Sequence, residues 1–163
     1  MCVQKPSDDA PDMEQIEAII NGWQRPELPD RLKHLARTRK SLVALASLVR
    51  GNLSKVRSSR SRRQLEVKVI GWLCDFIRAN VKRGRVFDLG EVLRQGSADC
   101  LGYAKLFTLL GRLFGLDVGV IEVVIDNGGR YVSHTAVLVR LDDRKRCFID
   151  LWYGSKKGTK GWG

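Results

Sequence analysis

Long apolar runs are absent from this sequence, and so are the common cysteine motifs. No stretch approaches the ~20 apolar residues that a membrane-spanning helix needs, so we expect no membrane segment. The four cysteines are scattered, without a Cys-x-x-Cys pair or a Cys/His ligand spacing. This argues against a zinc site and against a disulfide framework. The chain starts with a polar, acidic stretch rather than a secretory signal, and we therefore expect a reducing, cytoplasmic location.

Several frequent catalytic chemistries also lack their motifs. The sequence has no glycine-rich phosphate loop, no paired acid/base carboxylates and no metal motif, so we expect neither a cofactor nor a metal. It contains only two histidines. A reaction that depends on imidazole therefore has few candidate residues. Oligomeric state is not readable from the sequence.

Positive charge is present and is concentrated in the middle of the chain. The net charge is +11, and residues 31–68 hold twelve Lys/Arg against one acidic residue, whereas residues 1–30 hold two against seven. Such a block can attract an acidic or nucleic-acid partner through a salt-dependent interaction. A solvated helix face followed by a loose basic linker is the alternative, because no aromatic side chains are interleaved for base stacking. The candidate polyanion-binding residues are Lys55, Arg57, Arg60, Arg62 and Arg63.

The first half of the sequence has helical periodicity. Apolar residues recur at helical spacing in three stretches, which the prolines and glycines between them separate. The pattern predicts helices over 13–23, over 30–50 with Asp30 and Gly51 as caps, and from a Ser61-x-x-Gln64 capping box to about Gly84. A Ser/Arg-rich linker separates the second helix from the third.

The second half changes from a helical to a strand pattern. A helix predicted from about Asp99 to Phe114 precedes β-rich segments at 118–125, 131–141 and 146–152. Helices followed by strands indicate an α+β fold, with N-terminal helices and then a helix packed on an antiparallel β-meander. At 163 residues the chain fits one compact domain. Within it we assign 1–60 to a helical N-terminal extension and 61–163 to the core.

Cys100 lies at the predicted start of the helix that precedes the strands. Unpaired backbone N–H groups at a helix start stabilise a thiolate, the nucleophilic form of cysteine. The same groups can hold a developing oxyanion. The preceding Asp99 would oppose a second negative charge unless its side chain caps the helix. Taken alone, a cysteine in this position is more often a buried structural residue than a nucleophile.

His134 and Asp150 are polar residues in otherwise apolar strand segments. A carboxylate in an apolar strand is costly unless it is hydrogen-bonded or paired, and His134 is the nearby imidazole. If the intervening turn places Asp150 opposite His134 or one diagonal step away, both side chains share a sheet face. A register shifted by one residue would separate them. With the shared face, Asp150 can orient an imidazole that takes a proton from Cys100.

The three segments together resemble a known family. GSADCLGYAKLFTLLGRLFGLDV, SHTAVLVRL and RCFIDLWYG are similar to the transglutaminase-like superfamily of papain-fold cysteine enzymes, over about residues 65–154. The resemblance implies that Cys100 is the nucleophile, His134 the general base and Asp150 the third triad member. By analogy with papain-like sites, Gln95 is a candidate oxyanion donor, and a solvated loop glutamine is its alternative interpretation.

The resemblance implies acyl transfer through a thioester. Superfamily members include peptidases, amidases, deglycosylating enzymes and protein cross-linkers, and fold analogy does not choose among them. Hydrolysis of a peptide or amide bond in a protein or peptide substrate is our first expectation, because water is always available. A non-catalytic module that binds RNA or a protein through its basic 31–68 segment is the alternative.

Overall fold

The chain folds as an α+β protein in a computed structural model that describes residues 12–37, 41–125, 128–129 and 131–153. Helices precede a three-stranded antiparallel sheet, which confirms the predicted class. None of the helices in these ranges is long and apolar enough to span a bilayer. The elements in chain order are α1 (Met13–Asn21), a 3-10 helix (Asp30–Arg37), α2 (Leu42–Lys55), α3 (Ser59–Asn80), β1 (Lys82–Arg83), α4 (Leu89–Gln95), β2 (Ser97–Ala98), α5 (Cys100–Leu113), β3 (Asp117–Ile125), β4 (Tyr131–Arg140) and β5 (Arg146–Ile149).

One hydrophobic cluster extends from α1 to the end of the sheet. Trp72 and Phe76 of α3 stack with their ring centroids 5.0 Å apart, and Phe114 packs on Trp72 at 5.5 Å. The Trp72 indole also donates a hydrogen bond to the Pro26 carbonyl at 3.0 Å, which ties the segment after α1 to α3. The N-terminal helices therefore share their core with the helix and strands of the second half.

The predicted second helix is wrong, because the structure divides it into two elements. The 3-10 helix ends at Arg37, and α2 begins only at Leu42. Ser41 caps α2 by accepting a hydrogen bond from the Ala44 N–H at 3.2 Å, a favoured way to start a helix. Gly51 lies inside α2 rather than after it, and the cap is Val56. Residues 38–40 lie outside the described ranges.

The predicted start of the third helix is also wrong. α3 begins at Ser59, and Ser58 is its cap, with Oγ accepting from the Ser61 N–H at 3.3 Å. The stretch that the sequence indicated as a basic linker is therefore mostly the first turns of α3. Only residues 56–58 separate α2 from α3. The helix ends at Asn80, before the predicted Gly84.

Between α3 and α5 the structure contains three short elements that the sequence did not predict. α4 ends at Gly96, whose φ of 64° is the left-handed conformation that glycine adopts without strain. β1 and β2 form a parallel pair in which Lys82 faces Ser97 and Arg83 faces Ala98. This pair holds residues 82–83 beside the residues that lead directly into α5.

The main sheet has the strand order β3-β4-β5, and α5 packs against it. β4 and β5 pair with Val137 opposite Ile149 and Leu138 opposite Phe148. β5 ends at Ile149 rather than at the predicted residue 152, because Asp150 opens a turn over the next three residues.

Candidate active site

Cys100 is the first residue of α5, as the sequence predicts. Asp99 caps the helix, with Oδ1 accepting from the Gly102 N–H at 2.8 Å and its backbone oxygen accepting from the Tyr103 N–H at 2.9 Å. The carboxylate is therefore directed into the cap, which is the condition for compatibility with a thiolate. In the described part of the chain, the N–H groups of Cys100 and Leu101 donate to no protein acceptor. Two backbone donors thus remain at the helix start.

The start of α5 is held against the segment that follows β1. The Asp99 N–H donates to the Val86 carbonyl at 2.8 Å. At Gly102 a Cβ would lie 2.5 Å from the same carbonyl oxygen and 2.9 Å from Val92 Cγ2. Only a residue without a side chain permits this approach, so Gly102 fixes where the Cys100 backbone sits.

Cys100 is partly buried and lines a shallow cleft beside the middle of β4. The volume of the cleft, about 10 Å³, is room for roughly one water molecule. The side chains and backbone that line it with Cys100 come from α5 and from the facing strands: Tyr103, Ala104, Thr135, Ala136, Val137, Ile149 and Leu151.

His134 and Asp150 form a short contact beside this cleft. His134 Nε2 lies 2.6 Å from Asp150 Oδ2, and the imidazole is buried, with 8% of the residue exposed. The register puts Asp150 next to the Ile149–Val137 pair, one diagonal step from His134. The predicted register is therefore confirmed. Because Asp150 engages Nε2, Nδ1 is the ring nitrogen that remains for a second partner.

Strand alternation directs the His134 side chain to the sheet face opposite the one on which α5, the helix of Cys100, packs. His134 shares a face with Ala136, whereas the neighbouring Val137 points into the core on which α5 packs. Both Thr135 and Ala136 line the Cys100 cleft, so the thiol adjoins the part of β4 that contains His134. The approach of the Cys100 sulfur to His134 Nδ1 stays a prediction, and it forms part of the proposal below.

Residues after Asp150 complete the surroundings of the imidazole, and the sequence analysis missed them. Asp150 Oδ1 accepts from the backbone N–H groups of Trp152 and Tyr153 at 3.1 and 3.2 Å. The Tyr153 ring meets the His134 ring edge-on, with centroids 4.9 Å apart. An aspartate that accepts from N–H groups two and three residues later is typical of an Asx turn, which the segment DLWYG could have indicated.

The other described cysteines are buried thiols. Burial raises the pKa of Cys74 to about 12 and that of Cys147 to about 11, from an ordinary value of 9.0. Both side chains are almost inaccessible to solvent. They are structural residues of the core, and Cys2 lies outside the described ranges.

Gln95 ends α4 with an exposed side chain. Its Nε2 donates to Glu91 Oε2 at 2.8 Å, and this bond lowers the pKa of the Glu91 carboxyl. A role as oxyanion donor requires the amide to turn away from Glu91. The role stays a prediction, and the backbone N–H groups at Cys100 and Leu101 are donors that need no such rearrangement.

The five candidate polyanion-binding residues divide into two groups. Arg62 and Arg63 pair with the turn between β4 and β5, where Arg63 Nε lies 3.0 Å from Asp143 Oδ2 and Arg62 Nε lies 3.8 Å from Asp142 Oδ1. These two side chains are thus engaged in holding the turn. The remaining three, Lys55, Arg57 and Arg60, are exposed.

Other features of the described residues lie apart from this site. A larger groove of about 620 Å³ is lined by Trp23, Arg25 and Trp72 among others, and none of the predicted site residues borders it. Among the residues that the structure describes, no three His, Cys, Asp or Glu side chains are grouped as a metal site requires.

Comparison with known proteins adds no family to this geometry. No family model matches the sequence, and no curated protein matches it. The transglutaminase-like resemblance therefore stands on the residues of this chain alone, and what it implies is taken up as a proposal.

Proposed function

We propose that this protein is a cysteine-dependent acyl-transfer enzyme that hydrolyses peptide or amide bonds through a thioester. Cys100 is the nucleophile, His134 the general base and Asp150 the residue that orients the imidazole. The observation that carries the proposal is the 2.6 Å contact between His134 Nε2 on β4 and Asp150 Oδ2, next to the cleft that Cys100 lines. A buried imidazole with an oriented carboxylate partner is the arrangement that activates a nearby nucleophile.

Asp150 selects the tautomer that catalysis needs. An ionised carboxylate only accepts hydrogen bonds, so the neutral imidazole carries its proton on Nε2 and leaves the Nδ1 lone pair free. Nδ1 then takes the thiol proton of Cys100. When the imidazolium forms, Asp150 stabilises its charge without itself taking the proton.

The reaction balances as two acyl transfers. The Cys100 sulfur attacks the carbonyl carbon, and its proton passes to His134. The tetrahedral intermediate collapses as the C–N bond breaks, and the leaving amine receives that proton. Water then gives a proton to His134 and attacks the thioester carbonyl, which releases the carboxylic acid and returns the proton to the thiol. The N–H groups of Cys100 and Leu101 are the donors available to the oxyanion in both steps.

Alkylation with iodoacetamide tests the proposal. We expect Cys100 to react at pH 7.5 at least tenfold faster than Cys74 and Cys147, which burial keeps protonated. Site-specific rates come from mass spectrometry of digested samples. His134→Ala should remove the advantage of Cys100, whereas His34→Ala, at the exposed second histidine, is the matched control and should leave it unchanged.

A variant at Asp150 separates the orientation of the His134 ring from the stability of the fold. Asp150→Asn retains an oxygen for the Trp152 and Tyr153 N–H groups but presents an NH₂ group, which only donates, to His134 Nε2. We expect it to lower the hydrolysis of p-nitrophenyl acetate by about 10²- to 10⁴-fold with little change in thermal unfolding. Equal alkylation rates for Cys100 in the parent protein and in His134→Ala would contradict the proposed triad.

The alternative function is a non-catalytic module that binds RNA or a protein. It has less support, because two of the five candidate basic residues are in ion pairs within the protein. Arg62 and Arg63 are engaged with Asp142 and Asp143. Of the five candidate residues, Lys55, Arg57 and Arg60 remain exposed for a partner. They lie at the end of α2, in the connection and in the first turn of α3, rather than near Cys100. This module is the interpretation to adopt if Cys100 reacts no faster than an ordinary cysteine.

A further inference from the structure

The cleft at Cys100 is too small to select a substrate by enclosing it. Its volume of about 10 Å³ holds roughly one water molecule, whereas pockets for drug-sized ligands reach several hundred cubic ångströms. A peptide that reaches the thiol therefore lies across the surface around the cleft. Selectivity must come from the side chains on that surface.

Three exposed cations lie on the segment whose backbone is attached to the start of α5. They are Lys82, Arg83 and Arg85, and we call them the basic rim. β1 pairs with β2, which ends two residues before Cys100, and the Val86 carbonyl accepts from the Asp99 N–H at 2.8 Å. The rim is thus attached to the helix start that carries the nucleophile.

Arg83 connects the rim to the histidine side of the cleft. Its guanidinium carbon lies 4.2 Å from the ring centroid of Trp152, in a cation–π contact. The Trp152 N–H binds Asp150 Oδ1, so Arg83 lies over the turn that holds the His134 partner. Its positive charge also reaches Tyr103, which lines the Cys100 cleft: burial raises the pKa of Tyr103, and Arg83 opposes that rise.

No carboxylate among the described residues pairs with the cations of the basic rim. All three side chains are exposed. The acidic residues of this part of the chain have other partners, since Asp88 caps α4, Asp99 caps α5 and Glu91 pairs with Arg94. Uncompensated cations beside a low-dielectric cleft raise the local concentration of anions. Tyr153, 69% exposed, adds an aromatic ring beside His134.

We propose that the basic rim makes the enzyme selective for acidic peptides, with substrate carboxylates next to the scissile amide bound by Lys82, Arg83 and Arg85. This inference rests on the proposed function of Cys100. It assigns the selectivity to residues 82–85 and not to the basic 31–68 segment, whose ion pairs with Asp142 and Asp143 lie at the opposite end of the sheet, roughly 25 Å along β4.

Two alkylating agents of different charge test the rim directly. Iodoacetate is an anion and iodoacetamide is neutral, and both transfer a CH₂ carbon to the thiolate with loss of iodide. We expect the iodoacetate-to-iodoacetamide rate ratio at Cys100 to fall about threefold in the Lys82→Gln/Arg83→Gln/Arg85→Gln variant. The matched control, Lys55→Gln/Arg57→Gln/Arg60→Gln, removes the same charge far from the cleft and should leave the ratio unchanged. High salt should reduce the ratio only where the rim is intact.

The rate with iodoacetamide alone keeps the two proposals distinguishable. If Cys100 is not faster than Cys74 and Cys147 with the neutral reagent, the proposed function fails. If Cys100 is fast but the rim variant retains the parent ratio, the basic rim is overturned. Loss of the Arg83–Trp152 contact could perturb folding in the triple variant, so Arg85→Gln, at an exposed residue, is tested alone. It should lower the iodoacetate-to-iodoacetamide rate ratio by about 1.5-fold.

Protection by short polymers identifies the substrate class. We expect a hexaglutamate peptide to slow the alkylation of Cys100 by iodoacetamide, and a hexaglutamine peptide of the same length to have little effect. An RNA hexamer serves as a polyanion without the peptide backbone. Protection by RNA alone, or equal protection by both peptides, would overturn the assignment to acidic peptides.

Discussion

The thiols at Cys74 and Cys147 differ from Cys100 in their access to water. Both lie in the core, and burial raises their pKa values to about 12 and about 11, above the ordinary 9.0. In the unfolded chain these thiols ionise first, so the unfolded state is favoured as pH rises above 9. Their contribution to stability is complete below pH 9 and is lost as pH climbs toward 11 and 12.

We therefore expect the free energy of unfolding to fall between pH 9 and pH 11, by roughly 1.4 kcal/mol per pH unit for each thiol. Guanidinium titrations at several pH values measure the slope. Cys74→Ala/Cys147→Ala should flatten it, while Cys100→Ala, at a partly exposed thiol, provides the comparison. A slope that is identical in the parent protein and the double variant would mean that these thiols are not protonated by burial.

Glu66 connects α3 to the turn between β4 and β5. It is 5% exposed and accepts the Asp142 N–H at 3.0 Å, next to the Arg62 and Arg63 ion pairs. Burial raises the pKa of its carboxyl above the usual 4.5, although the hydrogen bond from Asp142 opposes the rise. The folded state thus favours the protonated form, and stability falls as pH rises from 4.5 through the raised value.

Two substitutions at Glu66 should have opposite consequences. Glu66→Ala leaves the Asp142 N–H without its acceptor, and we expect a loss of roughly 1–3 kcal/mol at pH 7. Glu66→Gln keeps an oxygen acceptor and carries no charge, so it should be at least as stable as the parent protein at pH 7. It should also lack the parent's decline in stability above pH 4.5, which a comparison of pH 5 with pH 7 samples. Urea unfolding at both pH values measures these differences. A glutamine variant as unstable as the alanine variant would show that the charge itself is required.

α5 can begin at Cys100 only because Gly102 has no side chain. A Cβ there would lie 2.5 Å from the Val86 carbonyl oxygen, a backbone atom that cannot move aside alone. We expect Gly102→Ala to cost about 1–3 kcal/mol of stability and to change the alkylation rate of Cys100, because the helix start must shift.

Gly71→Ala is the matched control for this prediction. Gly71 lies in α3, and a Cβ added there would meet no atom of another element within 4 Å. Alanine should therefore stabilise the helix by about 0.5–1 kcal/mol and leave Cys100 unaffected. Thermal unfolding and iodoacetamide kinetics on the two variants make the comparison. Equal changes in stability for Gly102→Ala and Gly71→Ala would contradict the proposal that Gly102 fixes the start of α5.

The charge of the whole molecule, +11, predicts a general affinity for polyanions that depends on how many cations are free. Binding to oligouridylate should weaken with salt, and Lys55→Gln/Arg57→Gln/Arg60→Gln should reduce the slope of log K against log salt by about 2. Arg62→Gln/Arg63→Gln should change the slope less, because these side chains are paired with Asp142 and Asp143. Filter binding over a salt series measures both. A larger change of slope in Arg62→Gln/Arg63→Gln than in the triple variant would contradict the view that Arg62 and Arg63 are engaged in ion pairs.

Periodicity predicts those parts of the fold in which local pattern and tertiary structure agree. α5 and the three strands of the main sheet lie close to their predicted positions, because their apolar stripes are long enough to show a period. α4 and the β1–β2 pair were missed because seven-residue and two-residue elements are too short for one. The ion pairs of Arg62 and Arg63 join residues about eighty positions apart, and no local signal reports such contacts.

The candidate site was predictable to the extent that strand alternation determines it. Alternation and a turn of fixed length bring Asp150 to His134, and this contact was expected from the sequence. The Asp99 cap and the position of Arg83 over Trp152 depend on how separate elements pack, so they required coordinates.

Asp150 performs two tasks with its two oxygens, since Oδ2 meets His134 and Oδ1 bends the backbone at Trp152 and Tyr153. One side chain therefore sets both the path of the backbone after the sheet and the orientation of the His134 ring. Fewer substitutions should be tolerated at residue 150 than if it had only to orient His134 or only to bend the backbone. Asparagine preserves the bend and alters the hydrogen-bond partner of the His134 ring. A mutational scan that ranks residue 150 as intolerant would accordingly measure geometry and chemistry at once.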